Sequence, residues 1–218
     1  MGSLSGFLVE FHGTPITAMM LAPWVQKNRL EAGCDEAGRG CLAGPVTAAS
    51  VILSPGFAES LVQEGVLDDS KKLSRTVRDR LRRVIESQAT AWAVVHVDPA
   101  EIDRINILQA SLAGMRRAAR KLKVRPEFLL IDGNRFVTSD DLPEFECFIK
   151  GDARFASIAA ASILAKTHRD ELMQNLHAEC PHYGWNSNAG YPTRAHREGI
   201  REVGLSIHHR RSFRQLPK

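Results

Sequence analysis

Residues 31–40 read EAGCDEAGRG, and the apolar run LAGPVTAASVIL follows at 42–53. Leu30 to Cys34 predicts one strand and Val46 to Leu53 a second, joined through the turn Gly40–Pro45 as a hairpin. Asp35 and Glu36 therefore stand at the end of a buried strand, with Gly38-Arg39-Gly40 immediately beyond. Either acid alone reads as well as a solvated loop residue. What gives the pair meaning is the rest of the chain's acid pattern.

Outward from this hairpin, Ser74 caps the helical stretch RTVRDRLRRVIES, whose Val77, Leu81, Val84 and Ile85 share a face. AWAVVHV is a third strand. Asp98-Pro99 opens a helical stretch, and the segment ILQASLAGMRRAARKL continues as a longer helix. FLLID is a strand ending at Asp132, and FECFIKG is a fifth. FASIAAASILAKTHRDELMQNL is a long helix whose Ala/Ser-rich face suits close packing on a sheet. The loop HYGWNSNAGY, a helix from about Thr193 to Val203 and the basic tail HHRRSFRQLPK complete the chain. A hairpin followed by alternating strands and helices predicts an α/β domain with a mixed sheet.

The 218 residues suit one domain, with 44% hydrophobic and 25% charged residues. Lys+Arg number 29 against 25 acids, a +4 balance that suits a polyanionic partner without demanding one. Cys34, Cys41, Cys147 and Cys180 form no C-x-x-C pair and read as reduced, packing thiols of a cytoplasmic protein. No apolar run is long enough for a bilayer, so no membrane association is expected. Residues 1–28 stand apart as an N-terminal extension, non-native or leader, with Met19 and Met20 as alternative starts. Residues 29–218 form the predicted catalytic domain.

Asp35, Glu36 and Asp132 all fall at C-terminal strand ends, the edge at which open α/β sheets hold ligands. Asp152 follows the fifth strand. Converging carboxylates raise one another's pKa unless a cation compensates, and an all-oxygen donor set points to Mg²⁺ or Mn²⁺. Consecutive strand residues face opposite ways, so Asp35 and Glu36 can share a site only if the strand ends or bulges there.

CDEAGRGCLAGPV, DDSKKLS, LLIDGN, KGD…IAAASILAKTHRD and NAGYPTRAH, in this order, resemble the motif series of bacterial ribonuclease HII from about Leu30 to the last helix. The resemblance implies a ribonuclease H-like mixed sheet flanked by helices, with a small helical C-terminal region from about residue 177. It implies endonucleolytic cleavage of RNA in RNA/DNA hybrids and at single ribonucleotides in duplex DNA, leaving 3′-hydroxyl and 5′-phosphate ends. The carboxylates of its two-ion site would be Asp35, Glu36, Asp132 and Asp152, with Asp170 and Lys166 in support.

By the same resemblance, the backbone of Gly38, Arg39 and Gly40 reads the 2′-OH, which separates RNA from DNA. Tyr191 stacks on the sugar beyond an RNA-to-DNA junction, and Lys71 and Lys72 contact phosphates. Without the resemblance Tyr191 reads as loop packing, while the glycines read equally as a tight turn or a close backbone approach to a nucleotide and the lysines equally as solvated charge or phosphate contacts. Arg39, Lys166, Arg194, Arg210 and Arg211 are further candidates for phosphate contact, while His168, His182 and His196 read as surface or packing residues. A monomer is expected. Three alternatives stay open: the sister family ribonuclease HIII, disfavoured by too short an N-terminal segment; a non-catalytic nucleic-acid binder, indifferent to chelation; and a small-molecule phosphatase, needing no 2′-OH reader.

Overall fold

The computed structural model describes residues 21–67 and 73–217. Lys71 and Lys72, like residues 1–20, lie outside the described residues. The elements are β1 (Glu31–Ala37), β2 (Val46–Ile52), α1 (Pro55–Gln63), α2 (Arg75–Gln88), β3 (Ala91–Val97), α3 (Pro99–Ile105), α4 (Ile107–Lys121), β4 (Phe128–Asp132), β5 (Glu144–Phe148), α5 (Ala156–Glu179), α6 (Trp185–Asn188) and α7 (Arg194–Val203). Short 3-10 turns at Gly151–Ala153 and Pro181–Tyr183 flank α5.

The five strands lie in the order β3-β2-β1-β4-β5, antiparallel from β1 through β3 and parallel from β1 through β5. This is the expected mixed sheet. α5 covers one face together with α1 and α2, and Ala49, Val51, Ala160, Ile163 and Leu164 fill that core. α4 covers the other, where Ala32, Cys34, Leu112, Met115, Leu129 and Ile131 meet. The close approach of α5 depends on one position. A Cβ on Gly33 would lie 2.2 Å from the carbonyl carbon of Ser157 and 2.3 Å from Ile158 N.

The expected Ser74 cap forms, accepting from Val77 N–H, and the two helices expected to open near Asp98 and Thr193 are capped by those side chains, which accept from Glu101 N–H and His196 N–H. α1 was not anticipated, although Ser54 before Pro55 is a cap followed by proline at the first helical position. The fifth strand stops at Phe148 rather than running to Gly151, because Lys150 adopts φ 56°, a left-handed conformation that turns the chain.

Residues 21–28 pack against the domain: Ala22 N–H donates to Arg154 O at 2.7 Å, and Glu31 accepts the N–H groups of Val25 and Gln26. At the other end Tyr183, Trp185 and Ile200 build a small core with Leu42, Ala43 and Met173. All four cysteines are unpaired, and no helix among the described residues is long and apolar enough to cross a membrane.

Candidate active site

β1 and β4 run parallel with Cys34 opposite Ile131, so Asp35 and Asp132 follow side by side where that ladder ends. Alternation puts both on the α5 face, because Gly33 abuts Ser157 while Phe128 and Leu130 pack with Ile158. Asp35 is 5% exposed. It accepts from Ser162 of α5 and, at 2.7 Å, from Glu36 N–H. Asp132 Oδ1 accepts Gly151 N–H at 2.7 Å, which brings the turn carrying the buried Asp152 to the same edge.

Glu36 departs from expectation. β1 neither ends nor bulges at the acid pair; it stays in register with β2 as far as Ala37 opposite Thr47. Only the β4 side of the ladder stops at Cys34, and the hairpin partner keeps the strand regular. Alternation therefore sends Glu36 to the opposite face from Asp35, where its Oε1 meets Arg39 Nη1 at 3.2 Å.

The acids nevertheless feel one another. Burial first, then the charges of Glu36 and Asp132, push the Asp35 carboxyl well above the usual carboxylate range. Among the described residues no three His, Cys, Asp or Glu side chains form a ready-made metal cage; Asp35, Glu36 and Asp132 are engaged with protein donors instead. The donor set still fits a hard divalent cation. It is all carboxylate oxygen, it includes a buried acid destabilised by like charge, and added positive charge is what relieves that.

Ser162, Lys166 and Asp170 succeed one another at four-residue spacing and so share a stripe of α5. Lys166 Nζ bonds Asp170 Oδ1 at 2.7 Å and lies 5.9 Å from the Tyr191 ring centre. Tyr191 is 41% exposed, and its hydroxyl bonds Cys41 in the loop after β1. Burial, then the Cys41 thiol, raises the Tyr191 pKa, so the phenol stays protonated at neutral pH.

Gly38 has φ +92°, and a Cβ there would lie 2.0 Å from Arg169 Nε; no other residue fits that turn. Arg39 and Gly40 are exposed.

Arg210 is corrected from its reading as a phosphate contact. It is fully buried, and its guanidinium bonds the carbonyls of Gly38, Arg39 and Gly44. Arg169, equally buried, was missed, although it sits inside the THRD motif beside Asp170. Arg194 and Arg211 are exposed; Arg194 pairs with Glu198 at 2.7 Å, and Arg211 N–H bonds Asp103. His196 packs among Trp185, Tyr183 and His209, and His168 bonds Glu86.

The ribonuclease HII family model matches residues 32–216. The chain is 55% identical to the ribonuclease HII of Parabacteroides distasonis over 199 residues, 91% of this chain and 97% of that relative. It is likewise 55% identical to that of Phocaeicola vulgatus over 197 residues, 90% and 95%. The crystal structure of ribonuclease H2 from Pyrococcus horikoshii superposes with a TM-score of 0.70 at 25% identity, covering 85% of this chain and 94% of that one.

Proposed function

The chain belongs to the ribonuclease HII family, and from that premise we propose how its own residues carry the reaction. It is a metal-dependent endonuclease with ribonuclease H activity on RNA/DNA hybrids. The proposal is that it also cuts at single ribonucleotides embedded in duplex DNA, on the 5′ side of the last ribonucleotide at a junction. It acts as a monomer, in the cytoplasm, with residues 29–218 as the catalytic unit.

Asp35, Asp132 and Asp152 would hold a pair of magnesium or manganese ions, and Glu36, whose charge is felt at Asp35 from the other face of β1, would join them only around the strand edge that β4 leaves open past Cys34. Bound there, the ions supply Lewis-acid stabilisation of phosphate charge and make water acidic enough to react. The observation that carries this reading is the lateral placement of Asp35 and Asp132 beyond the last β1–β4 pair, with the buried Asp35 carboxyl pushed up by its neighbours.

The residues then divide the work. Ser162 and the Glu36 amide fix the rotamer of Asp35, and the Gly151 amide fixes Asp132. The backbone of Gly38, Arg39 and Gly40 detects the 2′-hydroxyl, which is recognised and does not attack. Tyr191, neutral and half-exposed, stacks on the sugar beyond the junction, and Lys166 with Asp170 supports its approach. Water attacks phosphorus in line; its P–O bond forms as the bond to O3′ breaks, the attacking water gives up a proton to solvent and O3′ takes one up, leaving a 3′-hydroxyl and a 5′-phosphate. Lys71 and Lys72 contact phosphates, which position the duplex without specifying sequence.

One gel tests the reading. A duplex with a single ribonucleotide, an RNA/DNA hybrid and an all-DNA duplex are incubated with and without Mg²⁺. Cleavage of the first two alone, and only with the ion, is expected. An intact single-ribonucleotide duplex removes the embedded-ribonucleotide claim, and cleavage under full chelation removes the carboxylate–metal assignment.

A further inference from the structure

Arg169 and Arg210 are both 0% exposed, and among the described residues neither has a carboxylate within ion-pair distance. Burying an unpaired cation is costly unless its donors are satisfied. Here backbone carbonyls satisfy them. Arg169 donates to Pro45 O (2.9 Å), Ala43 O (3.1 Å) and Ala189 O (2.7 Å). Arg210 donates to Gly44 O (2.9 Å), Arg39 O (2.9 Å) and Gly38 O (2.7 Å). All of these carbonyls except that of Ala189 belong to the loop 38–45. Arg210 remains charged at neutral pH although burial lowers its pKa to about 10.

The described backbone holds no cis peptide. In a trans unit the C=O and the following N–H point opposite ways. Drawing the carbonyls of Gly38 and Arg39 inward therefore turns the N–H groups of Arg39 and Gly40 outward. Both residues are exposed, and among the described residues neither amide has a protein acceptor. A cation on the carbonyl also polarises the amide and strengthens its N–H as a donor.

We propose that Arg169 and Arg210 are positioning residues for ribose recognition: they draw the carbonyls of the 38–45 loop inward so that the amides of Arg39 and Gly40 stand free to donate to the 2′-hydroxyl of a ribonucleotide. This deepens the reading of the Gly38–Gly40 loop given above and rests on it. Lysine cannot replace either arginine, because one ammonium cannot span three carbonyls held in a planar fork.

The test uses Asp35→Asn as a non-cleaving background and measures binding to a duplex with one ribonucleotide and to its all-deoxy counterpart. Adding Arg169→Lys or Arg210→Lys is expected to cut the preference for the ribonucleotide about tenfold, the worth of one well-aligned donor. Affinity for the all-deoxy duplex and its salt dependence should hold. A lowered melting temperature with the preference intact overturns the proposal.

Should a lysine variant fail to fold, amide hydrogen exchange in the Asp35→Asn protein decides. The Arg39 and Gly40 amides must slow on binding the ribonucleotide duplex and not the deoxy one; equal exchange in both complexes refutes the inference. If Asp35→Asn itself shows no preference between the duplexes, the loop's reading fails and takes the proposal with it. A preference that survives in both lysine variants defeats the arginine proposal alone.

Discussion

Gly151 N–H donates to Asp132 Oδ1 at 2.7 Å, so the turn that carries Asp152 is tied to the end of β4 by the side chain of another proposed ligand. Asp132→Asn separates charge from architecture. An asparagine oxygen still accepts from Gly151, and the turn keeps its place. Turnover on an RNA/DNA hybrid is expected to fall at least about 100-fold, as for loss of a positioned electrostatic group, with the melting temperature and duplex affinity little changed. Steady-state cleavage and a gel-shift titration measure the two sides. Near-wild-type turnover would remove Asp132 from the chemistry.

Asp35 is expected to trade stability for function. Its carboxyl is raised by burial and by Glu36 and Asp132. A raised acid stabilises the fold most below its unfolded pKa, and that contribution is lost as pH rises through the folded value. Without divalent ions any negative charge on this carboxyl is a liability, and Asp35→Asn should melt higher than wild type. Added Mg²⁺ should reverse the order, since only the wild type gains from tight binding to the folded state. A variant that melts lower in EDTA would contradict the burial argument.

Much of this was legible in the chain. The hairpin, the strand ending at Asp132, the cap at Ser74 and the helix starts at Asp98 and Thr193 each follow from local chemistry. The face of Glu36 was not, because it depends on β2 holding its register after β4 has stopped. Nor was burial at positions 169 and 210. Arginine reads as surface charge, and all but one of the carbonyls that satisfy these two come from a loop more than 120 residues away in sequence, the exception being Ala189 on Arg169. Alternation and capping are short-range rules; the satisfaction of a buried guanidinium is a tertiary fact.

Gly33 sets the spacing between the sheet and α5. A methyl group there would meet backbone atoms of Ser157 and Ile158 at 2.2–2.3 Å, and backbone inside a 24-residue helix does not yield as a side-chain tip would. Gly33→Ala is expected to cost about 1–3 kcal/mol or more, read by urea denaturation. It should also lower turnover, because α5 carries Ser162 against Asp35. Unchanged stability would mean that the helix does not sit this close.

Acid should loosen the C-terminal region through His209. Ser206 N–H donates to His209 Nδ1 at 3.0 Å, which leaves the proton on Nε2, 3.2 Å from His196 Nε2. His196 Nε2 also accepts Trp185 Nε1–H at 3.0 Å, so its own proton sits on Nδ1 and bonds Tyr191 O at 2.9 Å. Both rings are thus neutral. Burial first, then His196, lowers the His209 pKa from 6.5 to about 4. A base with a depressed folded pKa contributes stability that is fully present above the unfolded pKa. That contribution fades as pH falls from 6.5 towards 4, a loss of about 3 kcal/mol at its limit. The raised Asp35 acid acts in the opposite direction over the same range, so the measurement belongs in the Asp35→Asn background. Urea unfolding there at pH 7.5, 6.0 and 5.0 should show a steady fall with net proton uptake on unfolding. A flat profile would mean that His209 titrates alike in the folded and unfolded chain, and that the Trp185–His196–His209 chain does not hold the Tyr191 carbonyl through neutral rings.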